Sequence, residues 1–276
     1  MINFPKISII TPSYNQGQFL EETIKSVLNQ NYPYLEYIII DGGSTDNSVE
    51  IIRRYEDKLA YWVSEKDNGQ AHAINKGFRR ATGDIIAWLN SDDLYLPGTL
   101  KKVADFFEKK PQIDVVYGDI EIIDNKGKVL GIKKVVPFNF KSQLFSASLV
   151  PQPATFWRKK VIKKIGFLNE KYQYQMDYEY FLRMGAKGIR FGIIKQPLAQ
   201  FRLQPQSKTQ TAYTTKFFSD QFEIQRTYLP LWKANHRLLK ILKLIYKFKI
   251  CVTRGLYRGD FRLFVYKDIR RKLNEK

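Results

Sequence analysis

Cysteine and histidine are almost absent from this sequence. Its 276 residues include a single cysteine, Cys251, and two histidines, His72 and His236. One cysteine cannot form an internal disulfide bond, and so few thiol and imidazole groups argue against a zinc site of the Cys/His type. A reducing cytoplasm is therefore the simplest predicted setting.

Long hydrophobic runs are also lacking. The longest uncharged stretch runs from Ser142 to Trp157, and it contains serine, glutamine and proline. It falls short of the roughly 18 apolar residues that a spanning helix needs. The first residues do not show the basic, apolar and small-residue succession of a secretory signal. We therefore expect no membrane-spanning segment.

Acidic residues are outnumbered, since 27 Asp and Glu against 46 Lys and Arg give a formal net charge of +19. The excess is concentrated in residues 231–276, which contain 14 basic and 3 acidic residues. Such a balance fits a nucleic acid, an anionic membrane surface or phosphorylated substrates as partners. The hydrophobic content of 44 % is sufficient for a full core, so we expect a globular protein with a basic tail.

Strand and helix patterns alternate through the first half of the chain. Short apolar runs at 7–10, 35–40, 61–64 and 85–89 are typical of buried strands, and a helical pattern follows each. This alternation predicts an α/β fold with a mostly parallel sheet covered by helices on both faces. No G-x-G-x-x-G follows the first strand, where the loop is P-S-Y-N-Q-G, so we reject a dehydrogenase.

Four loops that are polar, glycine-containing or acidic follow these strands, at residues 11–15, 41–44, 67–70 and 90–93. Each loop alone could be an ordinary turn. The carboxyl ends of parallel strands lie at one edge of a sheet, where α/β proteins bind ligands. The four loops together therefore predict a ligand site.

Asp92 and Asp93 are the candidate metal ligands within this site. Two adjacent carboxylates repel each other unless a cation or hydrogen-bond donors lie beside them. Mg²⁺ and Mn²⁺ take oxygen ligands and commonly share them with substrate phosphates. The alternative is a polar turn that caps the helix starting near Pro97.

The tail combines basic and apolar residues at helical spacing. Arg237, Lys240, Lys243 and Lys247 form one stripe, and Leu, Ile and Phe occupy the remaining faces. Such a helix is suited to an anionic membrane surface. The alternative is that its apolar face packs on the protein and the stripe is merely solvated.

Five motifs resemble those of the nucleotide-sugar-dependent glycosyltransferases of family 2, which have the GT-A fold. They are I-I-T-P-S-Y-N, D-G-G-S-T-D-N-S, E-K-D-N-G-Q-A-H-A-I-N-K-G, A-T-G-D-I-I-A-W-L-N-S-D-D and M-D-Y-E-Y-F-L-R, within Lys6 to Thr209. The resemblance implies a Rossmann-like α/β domain at 1–230, divided into a nucleotide-sugar-binding half (1–119) and an acceptor half (120–230). A basic amphipathic helical tail would occupy 231–276.

The resemblance also implies roles for individual residues. Asp177 matches the catalytic base, which accepts the proton of the acceptor hydroxyl, and Glu179 is interpreted as structural. Asp93 is an expected metal ligand, together with the carbonyl oxygen of Gln204, which stands where relatives often carry a histidine. The residues expected around the donor are Thr11, Pro12, Tyr14 and Asp41 at the base, Asp67, Gly69, Gln70 and Asn90 near the nucleotide, Asp92 at the ribose, and Arg202 and Lys208 at the phosphates.

The function implied by the resemblance is inverting transfer of a sugar from a nucleoside-diphosphate-sugar, with UDP-sugar as the expected donor, assisted by Mg²⁺ or Mn²⁺. The expected acceptor is a hydroxyl of a glycan or lipid-linked molecule in cell-envelope polysaccharide synthesis, at the cytoplasmic face of the plasma membrane. Two alternatives are an inactive GT-A scaffold and a basic protein that binds single-stranded nucleic acid. Intact Asp41, Asp92, Asp93 and Asp177 argue against the first alternative. Aromatics at apolar-face positions and the lack of an RNA-binding signature argue against the second, so no nucleic-acid partner is expected.

Overall fold

A computed structural model describes residues 4–146, 149–204, 215–228 and 236–259. In these ranges the strands are β1 Ile7–Ser13, β2 Leu35–Asp41, β3 Tyr61–Ser64, β4 Ile85–Trp88, β5 Leu94–Tyr95, β6 Val115–Ile123, β7 Val129–Lys133, β8 Thr155–Arg158 and β9 Phe191–Arg202. The α-helices there are α1 Gly17–Leu28, α2 Ser48–Arg53, α3 Gln70–Arg80, α4 Thr99–Lys109, α5 Phe140–Ser146, α6 Lys160–Ile165, α7 Met176–Ala186, α8 Thr215–Tyr228 and α9 His236–Arg258.

The described strands form one sheet in the order β3-β2-β1-β4-β8-β6-β9-β5, with β7 paired to β6. The pairings among β1, β2, β3 and β4 are all parallel, which confirms the α/β pattern predicted for the first half. In the second half β8 is antiparallel to both β4 and β6, whereas β9 is parallel to β6. The sheet is therefore mixed, and its parallel part contains the four strands whose loops were predicted to form the site.

Helices bury both faces of the sheet. On one face α3 and α7 cover an aromatic cluster that includes Phe78, Trp88, Trp157 and Tyr180. On the other face α1 and α4 pack on the strands through residues such as Leu20 and Leu100. The strands buried on both faces are continuously apolar for this reason, as in β4, where all four residues are buried.

Helix α9 packs on the protein through one of its faces. Leu242 and Tyr246 join the apolar cluster of α5, α7 and α8, and the Tyr246 ring stacks 4.9 Å from that of Phe145. Ile250 packs against the cluster beneath α3 and α7. The described part of the tail therefore contacts the preceding domain through apolar side chains.

The opposite face of α9 is exposed and apolar. Ile241, Leu244, Ile245 and Phe248 are 55 %, 73 %, 54 % and 71 % exposed. Of the predicted basic stripe, Lys243 is half-buried and Lys247 is exposed, whereas the side chains of Arg237 and Lys240 lie outside the described residues. In the part of the chain that the structure describes, no helix is both long and apolar enough to span a bilayer.

Candidate active site

The loops predicted to form a site lie at one edge of the sheet. Ser13 at the end of β1 is the register partner of Asp41 at the end of β2, and Asp41 is in turn the partner of Ser64 at the end of β3. Strand β4 runs parallel beside β1 and leads into residues 90–93. Four loops with polar side chains therefore converge beyond the carboxyl ends of neighbouring strands.

Asp41 is fully buried and fixes the turn after β2. Its Oδ2 accepts hydrogen bonds from the backbone N–H of Gly43 and Ser44 and from the Ser64 hydroxyl, at 3.1, 2.9 and 2.7 Å. Its Oδ1 accepts a hydrogen bond from the Ser44 hydroxyl at 2.5 Å. Both oxygens are thus held by the loop, which gives this carboxylate one orientation at the floor of the site.

The loop after β1 places its residues at different depths. Thr11 is fully buried, with its hydroxyl 3.0 Å from the Tyr37 hydroxyl, and Pro12 is buried beside it. Tyr14 is 60 % exposed, and Asn15 adopts a left-handed conformation with φ of 50°. Tyr14 is therefore the residue of this loop whose ring is available to a ligand.

Glycines allow the loops after β2 and β3 to approach each other closely. A Cβ on Gly42 would lie 2.7 Å from Oδ2 of Asp67, closer than real contacts allow. Gly69 has a φ of +108°, and a Cβ there would lie 2.8 Å from Oε1 of Gln173. A side chain at position 42 would displace the Asp67 carboxylate, and any residue but glycine at position 69 would be strained by the positive φ.

Asn90 links three of the predicted site residues. Its Oδ1 accepts a hydrogen bond from Gln70 Nε2 at 2.8 Å, and its Nδ2 donates to Asp93 Oδ2 at 3.3 Å. The same Nδ2 donates to Gln152 Oε1 at 3.1 Å, and Gln152 donates back to the carbonyl of Trp88 at 2.7 Å. This network joins α3, the turn after β4 and the segment before β8.

The half-buried Asp92 and the fully buried Asp93 form a pair of carboxyl groups with raised pKa values. Burial raises the pKa of Asp93 well above its usual range, and the charge of Asp92 raises it further. Burial also raises the pKa of Asp92, against the lowering effect of its hydrogen bond from Gln204. The ionised pair is therefore unfavourable in isolation, which is the condition that a cation relieves.

The donor set of this turn fits a hard divalent cation. Among the described residues no group of three His, Cys, Asp or Glu side chains could hold a metal ion. The oxygen ligands at this turn are the carboxylates of Asp92 and Asp93 and nearby amide oxygens. Mg²⁺ is commonly bound by one or two carboxylates, with the remaining ligands from water and substrate phosphates. A site of this composition suits a cation that arrives with a diphosphate.

Gln204 lies beside the Asp92 carboxylate, which it contacts through its amide nitrogen. Its Nε2 donates to Asp92 Oδ2 at 2.6 Å and to Gln16 Oε1 at 3.3 Å. Gln204 is buried, with 4 % of its surface exposed, so its amide is held at the site rather than in solvent.

Arg202 stabilises the Asp92-Asp93 turn through backbone and side-chain hydrogen bonds. Its backbone N–H donates to Asp93 Oδ1 at 3.1 Å, and its guanidinium donates to the carbonyls of Asp92 and Asn125 and to Glu22. Only 1 % of Arg202 is exposed. These contacts favour a positioning role over the predicted contact with phosphates. Lys208, the other predicted phosphate partner, lies outside the described residues.

Asp177 lies in the first turn of α7. Burial raises the pKa of its carboxyl group, whereas the backbone N–H of Tyr178 and the charge of Lys133 act in the opposite direction. Glu179 forms two hydrogen bonds with Arg183, each 2.8 Å long, so it has an ion-pair partner on its own helix. The raised pKa of Asp177 makes it a stronger base than an ordinary carboxylate, and the charge of Lys133 limits this rise.

Several site residues were missed by sequence reasoning. Gln16 lies in the P-S-Y-N-Q-G loop, so its position in this motif could have identified it as a candidate site residue. Glu22 and Lys133 carry no local signal, because their partners Arg202 and Asp177 are 180 and 44 residues away in the chain. Gln173 likewise meets Gly69 only in the folded chain.

The chain is similar to known glycosyltransferases. The family model described as glycosyl transferase family 2 matches residues 8–166. An uncharacterized glycosyltransferase of Methanocaldococcus jannaschii is 29 % identical over 207 residues, covering 72 % of this chain and 71 % of that protein. An uncharacterized glycosyltransferase of Rickettsia typhi is 28 % identical over 274 residues, covering 96 % of this chain and 81 % of that protein.

Solved structures share the fold at low sequence identity. TarS of S. aureus in complex with UDP-GlcNAc has a TM-score of 0.67 at 19 % identity, with 91 % of this chain and 74 % of that chain covered. This chain spans 43 % of a longer TarS chain. The mannosyltransferase PcManGT of Pyrobaculum calidifontis, in complex with GDP-Man and Mn²⁺, has a TM-score of 0.61 at 17 % identity, with 91 % and 72 % covered.

Proposed function

Because the chain belongs to glycosyl transferase family 2 and is a glycosyltransferase of the GT-A fold, we propose that it transfers a sugar with inversion from a nucleoside-diphosphate-sugar to a hydroxyl group. The observation that carries this proposal is the paired Asp92-Asp93 turn, which follows β4 at the carboxyl edge of the parallel strands. This turn offers ligands for a diphosphate-bound cation, and we take Asp177 in the first turn of α7 as the base.

The donor is a UDP-sugar that lies along the carboxyl ends of β1 to β4. Thr11, Pro12, Tyr14 and Asp41 frame the base, with the exposed Tyr14 ring as a stacking surface. Asp92 contacts the ribose, and the remaining contacts come from Asp67, Gly69, Gln70 and Asn90. Two structural neighbours are bound to UDP-GlcNAc and GDP-Man, which supports a nucleotide-sugar donor.

Mg²⁺ or Mn²⁺ would be held by Asp93 with the carbonyl oxygen of Gln204, beside Asp92. A bound cation would offset the negative charge of the diphosphate leaving group. The protein contributes a buried turn whose carboxylates are oriented by Asn90 and by the backbone of Arg202. The neighbour bound to GDP-Man also contains Mn²⁺.

Asp177 is the general base. Inversion in one step requires a carboxylate that accepts the proton of the acceptor hydroxyl while its oxygen attacks the anomeric carbon and the bond to the diphosphate breaks. No protein nucleophile is needed. The raised pKa of Asp177 favours proton acceptance by bringing its affinity for a proton nearer to the working pH.

The acceptor is a glycan or a lipid-linked molecule, and the enzyme works at the cytoplasmic face of a membrane. The exposed apolar face of α9, with Leu244 and Phe248 each more than 70 % exposed, supports contact with lipid. The basic residues of 231–276 favour anionic headgroups.

A panel of nucleoside-diphosphate-sugars incubated with the full chain and Mn²⁺ tests the donor proposal. We expect slow release of UDP from at least one UDP-sugar, abolished by EDTA and restored by Mn²⁺. Anomeric NMR of the transferred product tests inversion. Release from a GDP-sugar alone, or release insensitive to EDTA, would contradict the donor and cation assigned here.

A further inference from the structure

Asn75, in the middle of α3, is buried and uses its whole side-chain amide. Its Nδ2 donates hydrogen bonds to the carbonyl of Leu168 at 3.0 Å and to Oε1 of Glu170 at 2.8 Å, and its Oδ1 accepts one from the backbone N–H of Leu168 at 2.9 Å. Only 2 % of Asn75 is exposed. An amide that exchanges both bonds with one residue imitates the pairing of two residues in an antiparallel sheet, so it fixes both the distance and the orientation of Leu168.

Leu168 belongs to residues 166–175, which connect α6 to α7. Helix α7 holds the start of this connection, because the guanidinium of Arg183 donates to the carbonyls of Ile165 and Phe167 at 2.6 and 2.8 Å. Phe167 is therefore bonded to α7, and the next residue, Leu168, is bonded to α3. The connection thus ties the two helices together through directional contacts.

Helix α3 is also bonded to the turn after β4. Gln70 in its first turn donates to Asn90 at 2.8 Å, and Asn90 donates to Asp93 at 3.3 Å. Asp177 lies in the first turn of α7. A continuous path of hydrogen bonds and helix backbone therefore runs from Asp93 through α3 and residues 165–168 to the helix that carries Asp177.

The apolar contact between the two helices does not supply the same orientation. Phe78 of α3 and Tyr180 of α7 stack with their ring centroids 6.4 Å apart. Such burial holds the helices together but is not directional, whereas hydrogen bonds weaken steeply when their geometry changes. The amide of Asn75 is therefore the contact that sets the register of the connection against α3.

We propose that Asn75 is a positioning residue for catalysis, whose amide sets the position of α7, and with it Asp177, relative to α3 and Asp93. This rests on the proposed function, because it takes Asp177 as the base and Asp93 as a cation ligand. Asn75 is buried among protein partners, so it acts through Leu168 and not by contact with a substrate. A displacement of about 1 Å at a reacting group can lower a rate by roughly 10²-fold.

Asn75→Leu tests this role, because it keeps a side chain of similar size and removes all three hydrogen bonds. We expect the affinity for UDP with Mn²⁺ to stay near that of wild type, and the single-turnover release of UDP from the active donor to fall roughly 10–100-fold. Ser8→Ala is the matched control, since it removes a fully buried hydroxyl that bonds Glu36 and Gly83 near the amino end of β1. It should lower stability without this loss of rate. A normal rate in Asn75→Leu would overturn the proposal.

A double-mutant cycle with Asp177→Asn separates positioning from general destabilisation. If Asn75 acts through the base, Asn75→Leu has little left to remove once the carboxylate is gone. Its effect on the rate should therefore shrink to less than about 2-fold in the Asp177→Asn background, because residues that act as a unit are not additive. The same loss in both backgrounds would overturn the proposal, since it would show an effect independent of Asp177.

Hydrogen exchange of the backbone supplies a readout that does not depend on activity. Backbone amides of residues 166–180 should exchange roughly 10-fold faster in Asn75→Leu than in wild type, and at the wild-type rate in Ser8→Ala. If Asn75→Leu does not fold, Asn75→Asp replaces it, because its carboxylate still accepts from Leu168 but can no longer donate to the Leu168 carbonyl. Unchanged exchange of residues 166–180 in the folded variant would overturn the proposal. No UDP release from any donor by wild type would instead refute the proposed function, and the exchange comparison would still report on Asn75.

Discussion

Nε2 of Gln204 lies 2.6 Å from Oδ2 of Asp92, which joins the segment after β9 to the turn after β4. The same amide lies 3.3 Å from Oε1 of Gln16 in the loop after β1. Three segments that are far apart in the sequence therefore meet at the side-chain amide of Gln204. The orientation of the turn that we propose as the metal site thus depends on residues from both halves of the chain, so substitutions that are distant in sequence should affect it.

The first prediction concerns Asp93. Asp93→Asn keeps the shape of a fully buried side chain and removes its charge, so the fold should persist. We expect the variant to lose the enhancement of UDP affinity by Mn²⁺, because a neutral amide is a poor replacement for a carboxylate ligand. Isothermal titration of UDP with and without Mn²⁺ measures this. Asp105→Asn on the surface of α4 is the control, and an unchanged Mn²⁺ effect in Asp93→Asn would exclude Asp93 as a ligand.

The second prediction concerns Asp177. Asp177→Asn should retain donor affinity and lower turnover by about 10²-fold to 10⁴-fold, the usual contribution of a general base. Glu179→Gln is the matched control, because it removes the ion pair with Arg183 and should lower stability more than turnover. Single-turnover transfer and thermal melting separate the two effects. Near-normal transfer by Asp177→Asn with an inactive Glu179→Gln would assign the base to Glu179 instead.

The third prediction concerns the pH dependence of kcat/KM. A base must be ionised to accept a proton, and burial raises the pKa of Asp177. Activity should therefore be present above this raised pKa and fall tenfold per pH unit below it. Since the charge of Lys133 lowers the pKa of Asp177, Lys133→Met should move the acidic limb to higher pH. An acidic limb that stays in place in this variant would show that Asp177 does not set it.

The fourth prediction separates two roles for Arg202. Its guanidinium hydrogen bonds with Asp92, Asn125 and Glu22 are all within the protein. Arg202→Met should therefore cost on the order of 2–4 kcal/mol of unfolding free energy, since several charged hydrogen bonds are lost together. Urea denaturation measures this, with the half-exposed Arg190→Met as control. A stable Arg202→Met variant with a raised KM for the donor would instead support the phosphate contact predicted from the sequence.

The parallel part of the fold was predictable because its strands are short, buried on both faces and bounded by polar loops. Periodicity alone placed β1 to β4 and their loops at one edge. The mixed second half was harder, since β8 is a four-residue strand whose antiparallel pairing with β4 depends on contacts distant in sequence. Local patterns carry no information on such pairing.

The site residues show the same difference between local sequence patterns and contacts that are distant in sequence. Asp92 and Asp93 are marked by their position as paired carboxylates after a buried strand, and Asp177 was named through the family resemblance. The contacts of Gln204 and Arg202 arise only when the end of β9 lies near the turn after β4. Sequence reasoning could name these two residues but not their contacts. For Arg202 the buried guanidinium changes the expected role, because a side chain with 1 % exposure and protein partners has little surface left for a ligand.

The last prediction concerns the apolar face of α9. Truncation of the tail would also remove Leu242, Tyr246 and Ile250 from the core, so a loss of membrane binding could reflect unfolding. Substitution on the exposed face avoids this difficulty. Leu244→Asp with Phe248→Asp changes two side chains that are 73 % and 71 % exposed and should leave the melting temperature near that of wild type.

Wild type should sediment with vesicles of anionic lipid at low salt, and the double variant should stay in the supernatant. Each large apolar side chain contributes about 1.5–3 kcal/mol when fully buried, so loss of both should weaken partitioning by roughly 100-fold or more. Val129→Asp with Ile132→Asp is the control, because it introduces the same two charges at apolar side chains of β7 that are 47 % and 44 % exposed and do not belong to the α9 face. Sedimentation of the α9 variant to the same extent as wild type would show that this face does not contact lipid, and basic residues alone would then account for any binding. If wild type itself stays in the supernatant at low salt, α9 has no membrane role, and its exposed apolar face requires a protein partner to cover it.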